Sequence, residues 1–226
     1  MRISVLIPAF NEAERIVTIV QHAAAALPSH EVIVVDGGST DGTVPAAADL
    51  AVVVRSTESR GASLNAAARS ATGDVLLFLH ADTLLPANAE AQIEHVLGDG
   101  RVVGGAFRLA FDDRSVMGRA TAAWVNARSL AFNFFLGDQA LFVRKDVFLQ
   151  AGGFREWNLM EDLEILGRLR RFGRLGLTQA EVVTSARRHV RDGWLRTTGT
   201  VWLVTWLYFF GVPTRVLAGL YRRAST

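Results

Sequence analysis

No cysteine occurs among the 226 residues. Disulfides and thiolate metal sites are therefore excluded, and the chain suits a reducing compartment. An excess of charge of either sign is missing as well. The net charge is only +2, and no basic stripe with interleaved aromatics lies on a recognisable module, so nucleic acid is not an expected partner. The N-terminus lacks an apolar h-region and a cleavage site, because Met1-Arg2 leads straight into the strand-like residues 3–7; this predicts a cytoplasmic protein. Low-complexity tracts, internal repeats and interdomain linkers are missing too, which predicts one large domain, or one domain with an appendage. Hydrophobic residues, by contrast, make up half the chain, enough for a sizeable core. Arginine is concentrated between Arg168 and Arg196, and Arg222-Arg223 lies near the end, an asymmetry that points to an anionic surface or substrate.

The first hundred residues alternate between strand and helix patterns. Strands are expected at residues 3–8, 31–35, 51–54 and 75–79, the last an unbroken apolar run of the kind buried on both faces. Asn11 followed by Glu14 has the form of a capping box and predicts a helix from Asn11, with Ile16, Ile19, Val20 and Ala23 on its buried face. A second helix is expected over 62–71. Strands separated by such helices imply a parallel sheet with right-handed crossovers. Further on, the pattern predicts a partly exposed strand at 104–111, a helix at 119–132, a short strand at 139–143 and a turn at Gly152-Gly153. A helix is then expected after Glu161-Asp162, with Leu163, Leu166, Leu169 and Phe172 as its stripe.

Chemistry-bearing residues gather at the predicted strand ends, which is where open α/β sheets bind ligands. His80-Ala81-Asp82 closes the fourth strand. Asp82 either caps a turn or holds a divalent cation against a phosphate. Asp36-Gly-Gly-Ser-Thr-Asp-Gly-Thr43 closes the second strand and Pro8-Ala-Phe-Asn-Glu12 the first. Asp36 is placed to accept from a base or ribose and Phe10 to pack on a ring, and the glycines let backbone approach a ligand. The alternative is a set of tight turns with local caps. Three such turns at one edge favour a nucleotide site.

The string Ser4-Val-Leu-Ile-Pro-Ala-Phe-Asn-Glu12, the 36–43 turn, the Asp82 strand end and Glu161-Asp162 occur in the order found in family 2 glycosyltransferases, which the chain resembles up to about residue 190. The subgroup it is most similar to consists of small bacterial proteins. The resemblance implies an inverting, metal-dependent enzyme with a Rossmann-like α/β catalytic domain of the GT-A type and a mostly parallel central sheet. That domain would span residues 1–190, with a nucleotide-binding half over about 1–100 and an acceptor half over about 101–190. By the match, Pro8, Ala9, Phe10 and Glu12 would line the nucleotide pocket, Asp36 would bond the base, and Arg60, Gly61 and Asn65 would pass beside base and diphosphate. Asp82 would be the last carboxylate of the Asp-x-Asp metal motif, holding Mn2+ or Mg2+. His80 stands at the first Asp position, where with Ala81 it would touch the sugar nucleotide or serve as a further metal ligand. Asp162 would be the general base. Gly137, Asp138, Gln139, Trp157 and Glu161 would face the acceptor. Some similar GT-A enzymes place a metal-binding His in their C-terminal part, which makes His189 another candidate, with a surface role as the default.

The donor implied is a nucleoside diphosphate sugar, uridine being the family's commonest base, and the acceptor a hydroxyl, lipid-linked or near a membrane. A sugar-phosphate nucleotidyltransferase is the competing class, but the first turn, Pro8 to Glu12, has no glycine and no base to cradle phosphates. A silent sugar-nucleotide-binding protein is the third reading. Residues 197–214 carry no charge and arginines flank them. This 191–226 tail is expected to be helical and apolar. It is too interrupted for a span, and suits either peripheral contact with the inner face of the membrane, with Trp202, Trp206 and Tyr208 at headgroup level, or packing against its own domain or a second subunit.

Overall fold

The computed structural model describes residues 1–223 except 57 and 158, and no side chains at 222 and 223. Four parallel strands form one half of an eight-stranded sheet: β1 (Ile3–Ala9), β2 (Glu31–Asp36), β3 (Val52–Arg55) and β4 (Val75–Phe78). The other half holds β5 (Thr83–Leu84), β6 (Val102–Phe111), β7 (Phe142–Arg144) and β8 (Arg174–Thr184), and the overall order is β3-β2-β1-β4-β7-β6-β8-β5. β7 runs antiparallel to both β4 and β6, whereas β6 and β8 are parallel. The fold is a single α/β domain with a mostly parallel, mixed sheet. β8 is a strand the sequence pattern did not predict, although Leu175, Leu177, Val182 and Val183 between Gly173 and Ser185 are strand formers.

Helices cover both faces. α1 (Ile16–Ala26), α2 (Thr43–Ala48) and α4 (Ala89–Leu97) accompany α3 (Arg60–Ser70), α5 (Val116–Phe132), α6 (Lys145–Gln150) and α7 (Glu161–Leu169). One core joins Ile3, Val5 and Ile7 to Ile16, Val20 and Ile93; the other joins Leu6 and Ile33 to Leu64, Phe148, Ile165 and Leu166. Alternate residues of β1 thus feed opposite faces, as the pleat requires.

Several boundaries differ from the sequence reading. The first helix begins at Ile16 rather than Asn11, because Asn11 has φ 54° and cannot open a helix. β6 is largely buried, not half exposed. The short strand expected at 139–143 is preceded by a 3-10 turn, Gly137–Gln139, and starts only at Phe142. α7 ends before Phe172, which is exposed. Gly152 and Gly153 do form a turn, with φ 83° and 66°.

The tail forms α8 (Arg187–Asp192), α9 (Trp194–Phe209) and α10 (Thr214–Arg223). Val204 and Leu217 are buried in the second core, so α9 and α10 pack on the domain. Among the described residues no helix is long and apolar enough to cross a membrane.

Candidate active site

Two clefts adjoin at Arg60, the first residue of α3. The smaller, about 340 Å³, is lined by Pro8, Ala9, Phe10, Glu12, Gly37 and Arg60, with Val35, Glu58 and Ser63. The larger, about 540 Å³, takes in Arg60, His80, Asp82, Gly137, Asp138, Glu161 and Asp162, and is closed by residues from β8 and the tail.

The smaller cleft is built by lacing two strand ends together. Asn11 donates its N–H to Ser39 Oγ and accepts from the Thr40 amide, at 2.9 and 3.0 Å. The Glu12 amide reaches Thr43 Oγ1 at 2.8 Å, and Gly37 N–H bonds Ala9 O at 2.9 Å. The left-handed Asn11 is what lets the chain turn back to make these bonds. Phe10 is left 61% exposed beside the cleft, an arrangement apolar rings adopt at a cost unless a ligand covers them. Burial pushes the Glu12 carboxyl up, although Arg187 and Arg15 oppose the shift.

Other residues expected at the nucleotide have different work in the structure. Asp36 is buried and accepts from the Gly38 and Ser39 amides, at 3.2 Å each, so it caps its own turn and lines neither cleft. Gly61 and Asn65 hold the loop before α7. The Asn65 side chain donates to Phe154 O and accepts from Phe154 N, both at 2.8 Å. Gly61 donates to Trp157 O at 3.1 Å, and a Cβ there would run into the Arg155 carbonyl. Ala81 is buried in the first core.

The larger cleft is organised around Arg60. Its Nη2 lies 2.6 Å from His80 Nε2 and its Nε 3.1 Å from Glu161 Oε1. Guanidinium has no acceptor, so Nε2 must accept and the imidazole carries its proton on Nδ1. Burial first and Arg60 second hold the His80 pKa down to about 3. His80 is therefore neutral at ordinary pH and its Nε2 lone pair is already used. In this structure the Nε2 of His80, expected as a possible metal ligand, is engaged with Arg60.

Asp162 is fixed by two backbone amides, from Gly137 at 2.6 Å and from Leu163 at 2.8 Å. Burial raises its pKa, with Arg60 opposing. A Cβ at Gly137 would lie 2.8 Å from His80 Nε2 and 3.2 Å from Asp162 Oδ2, so a larger residue there would have to displace His80. Two non-glycine residues in left-handed backbone flank this corner, Ala140 at φ 48° and Met160 at φ 67°. Such conformations are costly and collect at functional sites. Burial pushes Glu161 up to about 7 even with Arg60 beside it.

Asp138 is a further carboxylate in the same cleft, with Asp82, Glu161 and Asp162. Its Oδ1 is shut off from solvent and has no hydrogen-bond partner among the described residues. Burial pushes its pKa up to about 6, against Arg128, with Asp162 and Asp82 adding to the rise. An acid with a raised folded pKa stabilises the fold below its unfolded pKa, and that contribution is lost as pH rises through the folded value. The protein without ligands is therefore expected to lose thermal stability from pH 5 to pH 7.5, as Asp138 and Glu161 ionise at about 6 and about 7. Asp138→Asn should flatten that decline in a thermal-unfolding series. Equal slopes for variant and wild type would count against it.

A divalent cation would relieve the same surplus of negative charge. Asp82 also has its pKa raised by burial. His189 lines the same cleft, packed between Phe111 and Trp194 at 5.0 and 4.5 Å, with a buried Nδ1 that lacks a partner among the described residues. No three His, Asp or Glu residues among those described are grouped as a metal site. Asp82 and His189, whose Nδ1 has no partner among the described residues, nevertheless line one cleft, and a carboxylate with an imidazole is a donor set that suits a divalent ion.

Two further expectations are revised. Gln139 is fully buried: it donates to Phe107 O at 3.1 Å and accepts from Ser129 Oγ at 3.1 Å, so it braces the 3-10 turn rather than meeting an acceptor. Trp157 lies edge-on to Tyr208, centroids 6.5 Å apart, and lines neither cleft. In contrast, Phe111, Ser185 and Tyr221 line the larger cleft without having been singled out. Ser185 is delivered by β8, whose Thr184 pairs with Thr83 beside Asp82. Tyr221 arrives from α10 and holds Arg188 through its hydroxyl and, at 4.2 Å, through its ring.

A parallel sheet half carrying turn-built clefts at its carboxyl edge, followed by a mixed half that brings up buried acids, is the GT-A class of fold. The chain belongs to glycosyl transferase family 2, whose sequence profile matches residues 4–154. Among solved structures it is similar to the mannosyltransferase PcManGT from Pyrobaculum calidifontis, determined with GDP-Man and Mn2+: TM-score 0.71 and 25% identity over 97% of this chain and 68% of that one. It also resembles S. aureus TarS residues 1–349 bound to UDP-GlcNAc, with TM-score 0.63 and 17% identity over 82% of this chain and 58% of that one. Glucosyl-3-phosphoglycerate synthase from Mycobacterium tuberculosis, with Mn2+, UDP and glucosyl-3-phosphoglycerate, gives TM-score 0.57 and 19% identity over 81% and 70% of the two chains. The chain spans only part of each of these proteins. No curated protein sequence matches it.

Proposed function

We propose that the protein is an inverting glycosyltransferase that moves a sugar from a nucleoside diphosphate sugar to an acceptor hydroxyl. The observation that carries this reading is the junction at Arg60, where an aromatic-edged cleft meets one holding a fixed, buried carboxylate. The smaller cleft suits a base and ribose against Phe10. The larger has room for the sugar and the attacking hydroxyl beside Asp162. The similarity to a GDP-Man-bound mannosyltransferase over nearly the whole chain supports the donor class. UDP sugars are the other donors to test.

Attack on the anomeric carbon forms one C–O bond as the bond to the β-phosphate oxygen breaks on the opposite face, which inverts the centre. The hydroxyl proton passes to Asp162. Both Asp162 oxygens accept a backbone amide, which aims the carboxylate while leaving each oxygen a lone pair. Arg60 is kept in place by His80 and Glu161 and sets a cation between the two clefts. Asp82 and His189 would hold Mn2+ or Mg2+ with the donor's diphosphate, and the ion would stabilise charge on the leaving group.

Incubation with UDP and GDP sugars, with and without Mn2+ or Mg2+, tests the reading. Release of nucleoside diphosphate is expected, and release of pyrophosphate or of nothing would overturn it. Phe10→Ala is expected to weaken donor binding by about tenfold, the scale of one base–aromatic stack, with little change in folding because the ring is exposed. Unchanged affinity by calorimetry would remove Phe10 from the base site.

A further inference from the structure

Helices α5 and α9 bury few apolar side chains and leave many outside. The buried residues of α5 are Gly118, Arg128 and Ser129, and those of α9 are Thr197, Val204 and Thr205. On their outer surfaces, Trp124, Leu130, Phe132, Leu203, Trp206 and Phe209 are between 51% and 71% exposed. A helix facing water keeps its apolar residues on the inner stripe, so this surplus on the outer sides of two helices calls for an apolar phase outside. The helices adjoin through Trp124 and Trp202, ring centroids 5.4 Å apart, and Phe134, just past the end of α5, lies 6.0 Å from Phe209. Trp124 of α5 is thereby joined to the outer row Leu203, Trp206 and Phe209 of α9, and α10 adds exposed Val216 and Leu220. A patch of this extent marks an interaction site.

Charge selects the partner. Residues 114–137 and 193–226 contain no Asp or Glu. Arg114, Arg119, Arg196 and Arg215 are exposed around the apolar residues. Two copies placed face to face would set arginine against arginine with no carboxylate between them, whereas an anionic lipid surface would neutralise both. No described helix can cross a membrane, which leaves an orientation in the plane of the interface.

We infer that the α5–α9–α10 face docks on the surface of an anionic bilayer. Trp124, Leu203, Trp206 and Phe209 enter the headgroup boundary and the arginines meet lipid phosphates. Tyr208, expected at headgroup level, instead turns toward Trp157. The inner sides of α9 and α10 present Val201, Thr205, Ala218 and Tyr221 to the larger cleft, so docking sets that cleft beside the lipid surface, where an acceptor hydroxyl on an amphiphile would be presented. That last step rests on the transferase reading; docking does not.

Flotation with phosphatidylcholine vesicles, with and without phosphatidylglycerol, tests the docking directly. The wild type should bind anionic vesicles at least about tenfold more tightly than neutral ones and release in high salt. Leu203→Glu and Phe209→Glu should each reduce that binding by about tenfold or more. Leu203→Ser, a milder change, should reduce it less while leaving thermal stability and nucleoside diphosphate release in solution unchanged. Absence of binding to anionic vesicles overturns the inference. So does a concentration-dependent dimer in sedimentation that the same substitutions dissociate, because the face would then belong to a second copy.

Discussion

Asp162→Asn is expected to lower the rate of sugar transfer by about 10²–10⁴-fold, the usual worth of a positioned general base. Donor affinity should stay within about twofold of wild type, because the Arg60–Glu161 pair and the Phe10 cleft are separate from the lost charge. Asn cannot accept from both Gly137 N and Leu163 N, as Asp162 does; its NH2 must face one of those donors. A small local shift is therefore expected along with the lost proton acceptor. Transfer rates and donor calorimetry on one preparation separate the two effects. Asp138→Asn is the control, since Asp138 shares the cleft and has an oxygen without a partner among the described residues. Wild-type transfer in Asp162→Asn, with a crippled Asp138→Asn, would move the base to residue 138.

Gly61→Ala is expected to destabilise the fold by about 1–3 kcal/mol, the cost of forcing a methyl into a packed site. At roughly 2–4 °C per kcal/mol for a chain of this size, melting should fall by up to roughly 10 °C. A Cβ at residue 61 would press on the Arg155 carbonyl and sit 3.4 Å from Phe154 Cβ. Relief requires displacing the loop that also receives the Asn65 amide and leads into Glu161. Were Gly61 instead a place where donor diphosphate approaches backbone, the same substitution would leave melting unchanged and raise only the donor KM. A melting curve settles which.

The central part of this design was legible in the linear sequence. Long apolar runs ending in Pro8, Asp36 and Asp82 gave away parallel strands, since a strand buried on both faces has little choice of residue. The signature turns carried the family resemblance. Local pattern failed where backbone left the common regions: Asn11 looked like a helix cap, yet its left-handed φ made it a tie between two turns. β8 was missed because its alternation is broken by Gly176 and Gln179, and partners on β6 and β5 compensate for that.

By itself the sequence determined the fold class, the order of the motifs and the identity of the acids, because these depend on residue type and short spacing. Tertiary structure alone decided what those residues do for one another. It gave His80 to Arg60, which accounts for a histidine where a second carboxylate was expected: a neutral acceptor holds the guanidinium without drawing it from Glu161. It withdrew Gln139, Trp157, Asn65 and Ala81 from the clefts and brought in Tyr221 from the end of the chain. Contacts across such sequence distances follow from how helices seat on the sheet, and no local pattern encodes that.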